Sequence, residues 1–231
     1  AVIAVSREMV DQLQRLGAPL AKVHYNPCGA DTDLFQGADP GAAPAHFVGV
    51  GRFVDMKAPQ LTLLAFAKAR QRAPHAELTL IGDGPLWECC QRLAGALGIA
   101  EAVRLPGVVS HDEVAEAMRS ARAFVQHSVR TFQDEVEGTP VAVLEAGAMG
   151  LPVIATRHAG IRDVVIDGEM GALVDEGDVD GMAAAMVRLA EDPELARDWG
   201  RAARARVVAE FSMERSIGHL WEILVAIARK E

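Results

Sequence analysis

Along the chain, short runs of β-branched and apolar residues alternate with longer stretches whose apolar positions recur at helical spacing, the pattern of β-α units that feed a parallel sheet. The runs predict strands at 1–5 (AVIAV), 22–26, 45–50 (AHFVGV), 76–81 (AELTLI), 101–105, 122–127 (RAFVQH), 151–155 (LPVIA) and 170–174 (MGALV). Helices fill the intervals, and several carry boundary signals. Pro85 reads as a first-turn residue with Gly98 past the helix end, and Ser110-His-Asp-Glu113 as a capping box. Asp178 and Ser212 read as N-caps and Pro193 as a helix start. From Ser212 to Lys230, the residues Ile217, Leu220, Trp221, Leu224 and Ile227 share one helical face, while Met182, Met186 and Leu189 form a core stripe. Trp199 and Trp221 are expected to pack.

The stretch 28–44, CGADTDLFQGADPGAAP, is rich in Gly, Pro and Asp, lacks periodicity and reads as a linker. Six strand candidates follow it, enough for an open parallel α/β sheet with helices on both faces. Ahead of it lies a single β-α-β unit, too small to bury its own apolar faces. The chain also opens on Ala1, not Met, inside an apolar run, and is expected to be part of something longer. The expected organisation is residues 1–29 as the last piece of a preceding domain, 30–44 as linker, 45–210 as the main domain and 211–231 as a terminal helix.

Half of the 231 residues are apolar, so a sizeable core is available. The net charge of −9 argues against nucleic acid as a partner, because no basic stripe exists to neutralise a run of phosphates. No run approaches the roughly 18 uncharged apolar residues of a membrane span, and the N-terminus lacks the flanks of a signal peptide; a cytoplasmic chain is expected. The three cysteines, Cys28, Cys89 and Cys90, form no CxxC and read as reduced structural thiols.

Two segments carry candidate chemistry. In GVGRFVDMK a predicted strand ends in Gly49 and Gly51, followed by Arg52 and Lys57 ahead of a helix. A planar guanidinium and a point-charge ammonium at the carboxyl end of a strand suit a diphosphate, or are simply solvated surface cations. Gly49-x-Gly51 lacks the third glycine of a dinucleotide fingerprint. In EGTPVAVLE, Pro140 is suited to a first helical turn and Gly138 to close approach, so the amides near Thr139, Pro140 and Val141 form an anion site at a helix start. Glu137 and Glu145 flank it. Glu145 lies about five helical residues in from Pro140, roughly 7–8 Å along the axis at 1.5 Å per residue, a span comparable to that from ribose across a diphosphate to a sugar.

These segments, with LTLIGDGPL, VRLPGVVSHDEVAEAMRSARAFVQHS and GIRDVVIDGEMGALVDEGD, resemble in order and spacing the donor-binding half of retaining glycosyltransferases of family 4, especially bacterial enzymes of exopolysaccharide and colanic-acid assembly. The resemblance covers about residues 1–210. It implies one Rossmann-like half of a GT-B fold, a six-stranded parallel sheet, with 1–29 as a βαβ remnant of the N-terminal domain. Arg52 and Lys57 then correspond to the diphosphate-binding pair, Glu137 to the acid that bonds the donor sugar, Glu145 to the ribose acceptor, and Gly51, Gly138, Thr139, Pro140 and Val141 to the donor-binding backbone. Val108 falls where the base is lined. The implied reaction is transfer of a hexose from a UDP-, GDP- or ADP-sugar to a glycan or lipid-linked acceptor, with retention, no required metal, and acceptor contacts made by the missing N-terminal domain. Peripheral membrane association belongs to the same picture. The chain alone is expected to bind donor without efficient transfer. A nucleotide-sugar epimerase of the same architecture and a non-catalytic nucleotide-sugar-binding module are the competing readings.

Other acidic and histidine positions have plainer readings. Asp31-Thr32-Asp33 has the DxD form of a manganese-dependent transferase but sits in the linker, and Asp178-Val-Asp180 reads as a cap. Asp134, Glu135 and Glu137 read as a solvated loop beside the donor pocket. His127 ends a strand beside Ser128 and Arg130 and is expected to face the same crevice, as a wall of the sugar pocket or a base. His24, His46, His75, His111, His158 and His219 have no metal-cluster spacing.

Overall fold

The computed structural model describes residues 1–229; Lys230 and Glu231, and with them the predicted end of the last helix, lie outside the described residues. Among the described residues eight strands form: β1 (Val2–Ala4), β2 (Val23–Tyr25), β3 (His46–Val50), β4 (Glu77–Ile81), β5 (Val103–Gly107), β6 (Ala123–Gln126), β7 (Val153–Thr156) and β8 (Gly171–Val174). The helices are α1 (Arg7–Arg15), α2 (Pro59–Arg70), α3 (Trp87–Ala96), α4 (His111–Arg119), α5 (Val141–Met149), α6 (Ile161–Val164), α7 (Val179–Glu191), α8 (Pro193–Glu210) and α9 (Met213–Ala228).

Six strands build one parallel sheet in the order β5-β4-β3-β6-β7-β8. Its central strands are predominantly apolar because both faces are covered. Val48, Phe124 and Val153 enter the core beneath α4, α5 and α8, while their neighbours Phe47, Val125 and Ile154 enter the core beneath α2, α3 and α7. The chain leaves β3 in one direction through β4 and β5, then returns by α4 to place β6 on the other side of β3. The strand order reverses between β3 and β6, and that is where an open sheet leaves a crevice at the carboxyl ends of its strands.

Strand five is shifted from its expected place. A 3-10 turn at Ala100–Ala102 takes its first residues, and the strand runs on through Pro106, which the sheet tolerates because β5 is an edge. Pro85 is likewise outside its helix, since α3 starts at Trp87 after Leu86. The capping box of Ser110 and Glu113 is present in both directions, and Asp178, Asp192 and Ser212 each accept a backbone amide at the start of α7, α8 and α9.

The front β1-α1-β2 unit forms its own two-stranded parallel sheet, and α1 buries none of its residues. It is held against the larger sheet by polar contacts: the Arg7 amide donates to Asp163 Oδ2 at 2.8 Å, Glu8 pairs with Arg130 and Arg162, and the Thr139 hydroxyl donates to the Val5 carbonyl. Segment 30–44 contains no helix or strand, yet it is not a loose tether. Phe35 is fully buried in the core, and Ala30 exchanges backbone hydrogen bonds with Phe211 and Met213. The terminal helix differs from expectation in another way: on its apolar face Ile217, Trp221 and Leu224 are exposed, Trp221 at 66 %, and the one buried residue described in the helix, Ile223, was not among those expected on that face.

Candidate functional site

The crevice between β3 and β6 is built from two loops. After β3 the chain passes Gly51 and Arg52, makes a 3-10 turn at Asp55–Lys57 and enters α2 through Ala58 in a left-handed conformation, with Pro59 in the first turn. The Gly51 amide bonds the Ile81 carbonyl and the Phe53 amide the Asp83 carbonyl, which fixes the loop over the end of β4. Gly82 is obligatory there, because at φ +132 a Cβ would lie 2.0 Å from the Gly51 oxygen. After β6, the Val129 amide bonds the Met56 carbonyl at 2.9 Å and so ties the second loop to the 3-10 turn.

That tie brings Lys57 to Glu137. Their Nζ and Oε1 atoms are 2.7 Å apart, with side chains 17 % and 7 % exposed. The carboxylate also accepts from the Ser128 hydroxyl at 3.3 Å, whose oxygen in turn accepts from Gln126 Nε2 at 2.8 Å. Arg52 and Lys57 line one cleft with Gly51 and Gln126. Arg52 is exposed, and among the described residues no carboxylate lies within ion-pair distance of it. The site therefore holds one cation already paired and one available.

Helix α5 begins beside this cleft without a side-chain cap, leaving its first amides unsatisfied. Pro140 is the N-cap, in extended conformation, and not the first helical residue. Thr139 and Pro140 are buried, Gly138 packs against Val5, and Val141 is exposed. One and a half turns in, Glu145 is a buried carboxylate on a helix otherwise apolar, and its Oε1 meets His111 Nε2 at 3.0 Å. His111 is braced by Phe35, with ring centroids 5.1 Å apart. Val108 is exposed.

His127 departs from its expected role as a pocket wall. Its ring is fully buried, and Nε2 accepts the Gly177 amide at 2.9 Å, leaving the proton on Nδ1 with no protein partner. Burial pushes its pKa down to about 4 against the pull of Asp178 and Glu176, so it is neutral at physiological pH. The other histidines that matter, His111 and His158, carry no local sequence signal; each finds its carboxylate through the fold. Asp31 spends its carboxylate on the amides of Asp33 and Leu34, a turn motif that accounts for the DxD spelling.

Comparison with known proteins identifies the family that this fold serves. Residues 36–206 match the family model described as glycosyl transferases group 1, and the chain belongs to that family. A GDP-mannose-dependent alpha-(1-6)-phosphatidylinositol monomannoside mannosyltransferase of Mycolicibacterium smegmatis is 33 % identical over 214 residues, 88 % of this chain and 56 % of the relative. The amylovoran biosynthesis glycosyltransferase AmsK of Erwinia amylovora is 30 % identical over 98 % of this chain and 56 % of its own length. Among solved structures, HepE of Anabaena in complex with UDP-glucose superposes with a TM-score of 0.86 at 20 % identity, over 97 % of this chain and 63 % of that one, a likeness of fold. The chain thus spans about half the length of the curated relatives it matches. The epimerase reading finds no support among these relatives.

Proposed function

We propose that the chain is the donor-binding part of a nucleoside-diphosphate-sugar-dependent retaining glycosyltransferase that moves a hexose to a glycan or lipid-linked acceptor. The observation that carries this reading is the 2.7 Å pair of Lys57 and Glu137 in the crevice between β3 and β6, beside the unpaired Arg52. Two cations and a carboxylate suit a ligand that is anionic in one part and hydroxyl-bearing in the next. Arg52, Lys57 and the opening amides of α5 take the diphosphate, and the two cations neutralise the charge that grows on it as the bond from the sugar to the phosphate oxygen breaks. Glu137 accepts a hydrogen bond from a sugar hydroxyl and Glu145 from the ribose, with Val108 beside the base. The acceptor hydroxyl attacks from the face the diphosphate leaves and gives its proton to the departing phosphate oxygen, and no metal is needed.

The names of the relatives, a mannosyltransferase acting on a phosphatidylinositol mannoside and an exopolysaccharide enzyme, support a hexose donor and a lipid-linked or glycan acceptor. Acceptor contacts are assigned to the part of the relatives' length that this chain does not span, so the chain alone binds donor and transfers little. The intact enzyme works in the cytoplasm and touches the membrane peripherally; none of the helices among the described residues is long and apolar enough to cross it.

Calorimetric titration of the chain with UDP, GDP, ADP and their hexose conjugates tests the reading. At least one pair binds, without change on adding EDTA, and Arg52→Ala and Glu145→Ala each weaken it by about tenfold, the loss of one charge-assisted hydrogen bond. Binding by none of them, or binding untouched by both substitutions, overturns the proposal.

A further inference from the structure

Two residues assigned no role from the sequence, Glu176 and His158, connect β8 to Glu137. Glu176 follows β8, His158 follows β7, and Glu137 closes the loop after β6. The Glu137 amide donates to His158 Nε2 at 3.1 Å, so Nε2 carries the lone pair and the ring proton sits on Nδ1. Nδ1 is 2.5 Å from Glu176 Oε1, and the other oxygen of Glu176 accepts the Arg130 amide at 2.8 Å. The His158 side chain is 1 % exposed, which leaves water no place in the tie. Burial pushes the Glu176 carboxyl up, but the Arg130 amide and His158 outweigh it and hold it below its ordinary value, so it accepts as an anion.

Residues 131–136, which lead into Glu137, form no helix or strand, so the Glu137 backbone depends on individual bonds for its place. Its carboxylate is gripped by Lys57 and Ser128, and its amide by His158. The amide is a donor only, so the grip exists in one imidazole tautomer and is lost if Nε2 carries hydrogen. Glu176 selects that tautomer. We propose that Glu176 is a positioning residue that acts through His158 to aim Glu137 at the donor sugar. The proposal rests on the donor-binding reading above and concerns the sugar alone: neither Glu176 nor His158 touches the cations that hold the diphosphate.

Two measurements on the full chain test it. In 15N NMR of the imidazoles, His158 shows a protonated Nδ1 with a low-field proton and a bare Nε2, and Glu176→Ala abolishes that signature. In paired titrations, Glu176→Ala and His158→Ala weaken the nucleotide-sugar by about tenfold while the free nucleoside diphosphate changes by less than about twofold, the pattern of one lost hydrogen bond at the sugar. His158→Gln, whose Oε1 reaches the place of Nε2, restores the sugar's share of the affinity. Retained affinity for the free diphosphate also shows that the variants fold. A proton on Nε2, equal losses for both ligands, or unchanged nucleotide-sugar binding overturns the positioning role and leaves the donor reading intact. A parent chain that binds no nucleotide overturns the donor reading, and this proposal with it.

Discussion

At the scale of single residues, His127 shows what adjacency in sequence does and does not convey. Its place at the end of a strand was legible, because β-branched runs locate strands. Which side of the strand its ring takes was not, since the deciding partner is the Gly177 amide, fifty positions away. Lys57 and Glu137 stood out in the sequence by residue type and position, but their 2.7 Å pairing is made by the fold. The buried ring carries a pH signature. With a native pKa of about 4 against an ordinary 6.5, the unfolded chain takes up a proton that the native chain refuses throughout that interval. Stability is therefore whole above the ordinary value and drains as pH falls through the interval, by up to about 3 kcal/mol. Urea melts between about pH 7.5 and about pH 4.5 should show roughly 2–3 kcal/mol of this loss in the parent and not in His127→Gln, which keeps an acceptor for Gly177 but does not titrate in this range. Equal slopes in the two proteins would assign the acid sensitivity to other groups.

At the scale of elements, the central strands of the large sheet were recovered because a strand buried on both faces is a nearly continuous apolar run whose length separates it from a helix, whereas the exposed edge strand β5 was displaced by two residues. The order of the strands was not recoverable: nothing local tells the chain to cross from β5 over β3, yet that crossing creates the crevice. The start of α5 depends on a second contact of this kind. Gly160 lies under the loop that enters α5, and a Cβ on it would stand 1.7 Å from the Gly138 oxygen. Its own backbone is ordinary for any residue, with φ −67, so the demand for glycine comes only from the approach of the other segment. Gly160→Ala should cost roughly 1–3 kcal/mol in chemical denaturation, as overpacking does, and should weaken donor binding by shifting Gly138. Gly95, one residue before the end of α3 with nothing near its missing side chain, supplies the contrast: Gly95→Ala should stabilise by up to about 0.5 kcal/mol. If both alanines had the same sign, close approach would not be the reason for Gly160.

For the molecule as a whole, composition misplaced two apolar residues in opposite directions. Phe35 sits in a stretch of Gly, Asp and Pro that reads as tether, and Trp221 on a helical stripe that reads as core. In the structure Phe35 is fully enclosed and Trp221 is two-thirds exposed. Periodicity reports that a face is apolar and not what covers it, and a lone aromatic in an aperiodic loop has no periodicity to report. The energetic consequence is an inversion of what residue size suggests. Phe35→Ala opens a cavity where α4 and the core beneath α5 meet, and should cost about 3–5 kcal/mol. Trp221→Ser removes a larger side chain from solvent and should change stability by no more than about 0.5 kcal/mol. Because Phe35 also braces His111 against Glu145, a milder Phe35→Leu should lower affinity for the nucleoside diphosphate while leaving the chain folded, whereas Trp221→Ser should leave that affinity alone. Urea midpoints and nucleotide titrations on the same three proteins decide it: similar midpoints for Phe35→Ala and Trp221→Ser would mean that segment 30–44 is a tether after all, and that the large sheet closes its core without it.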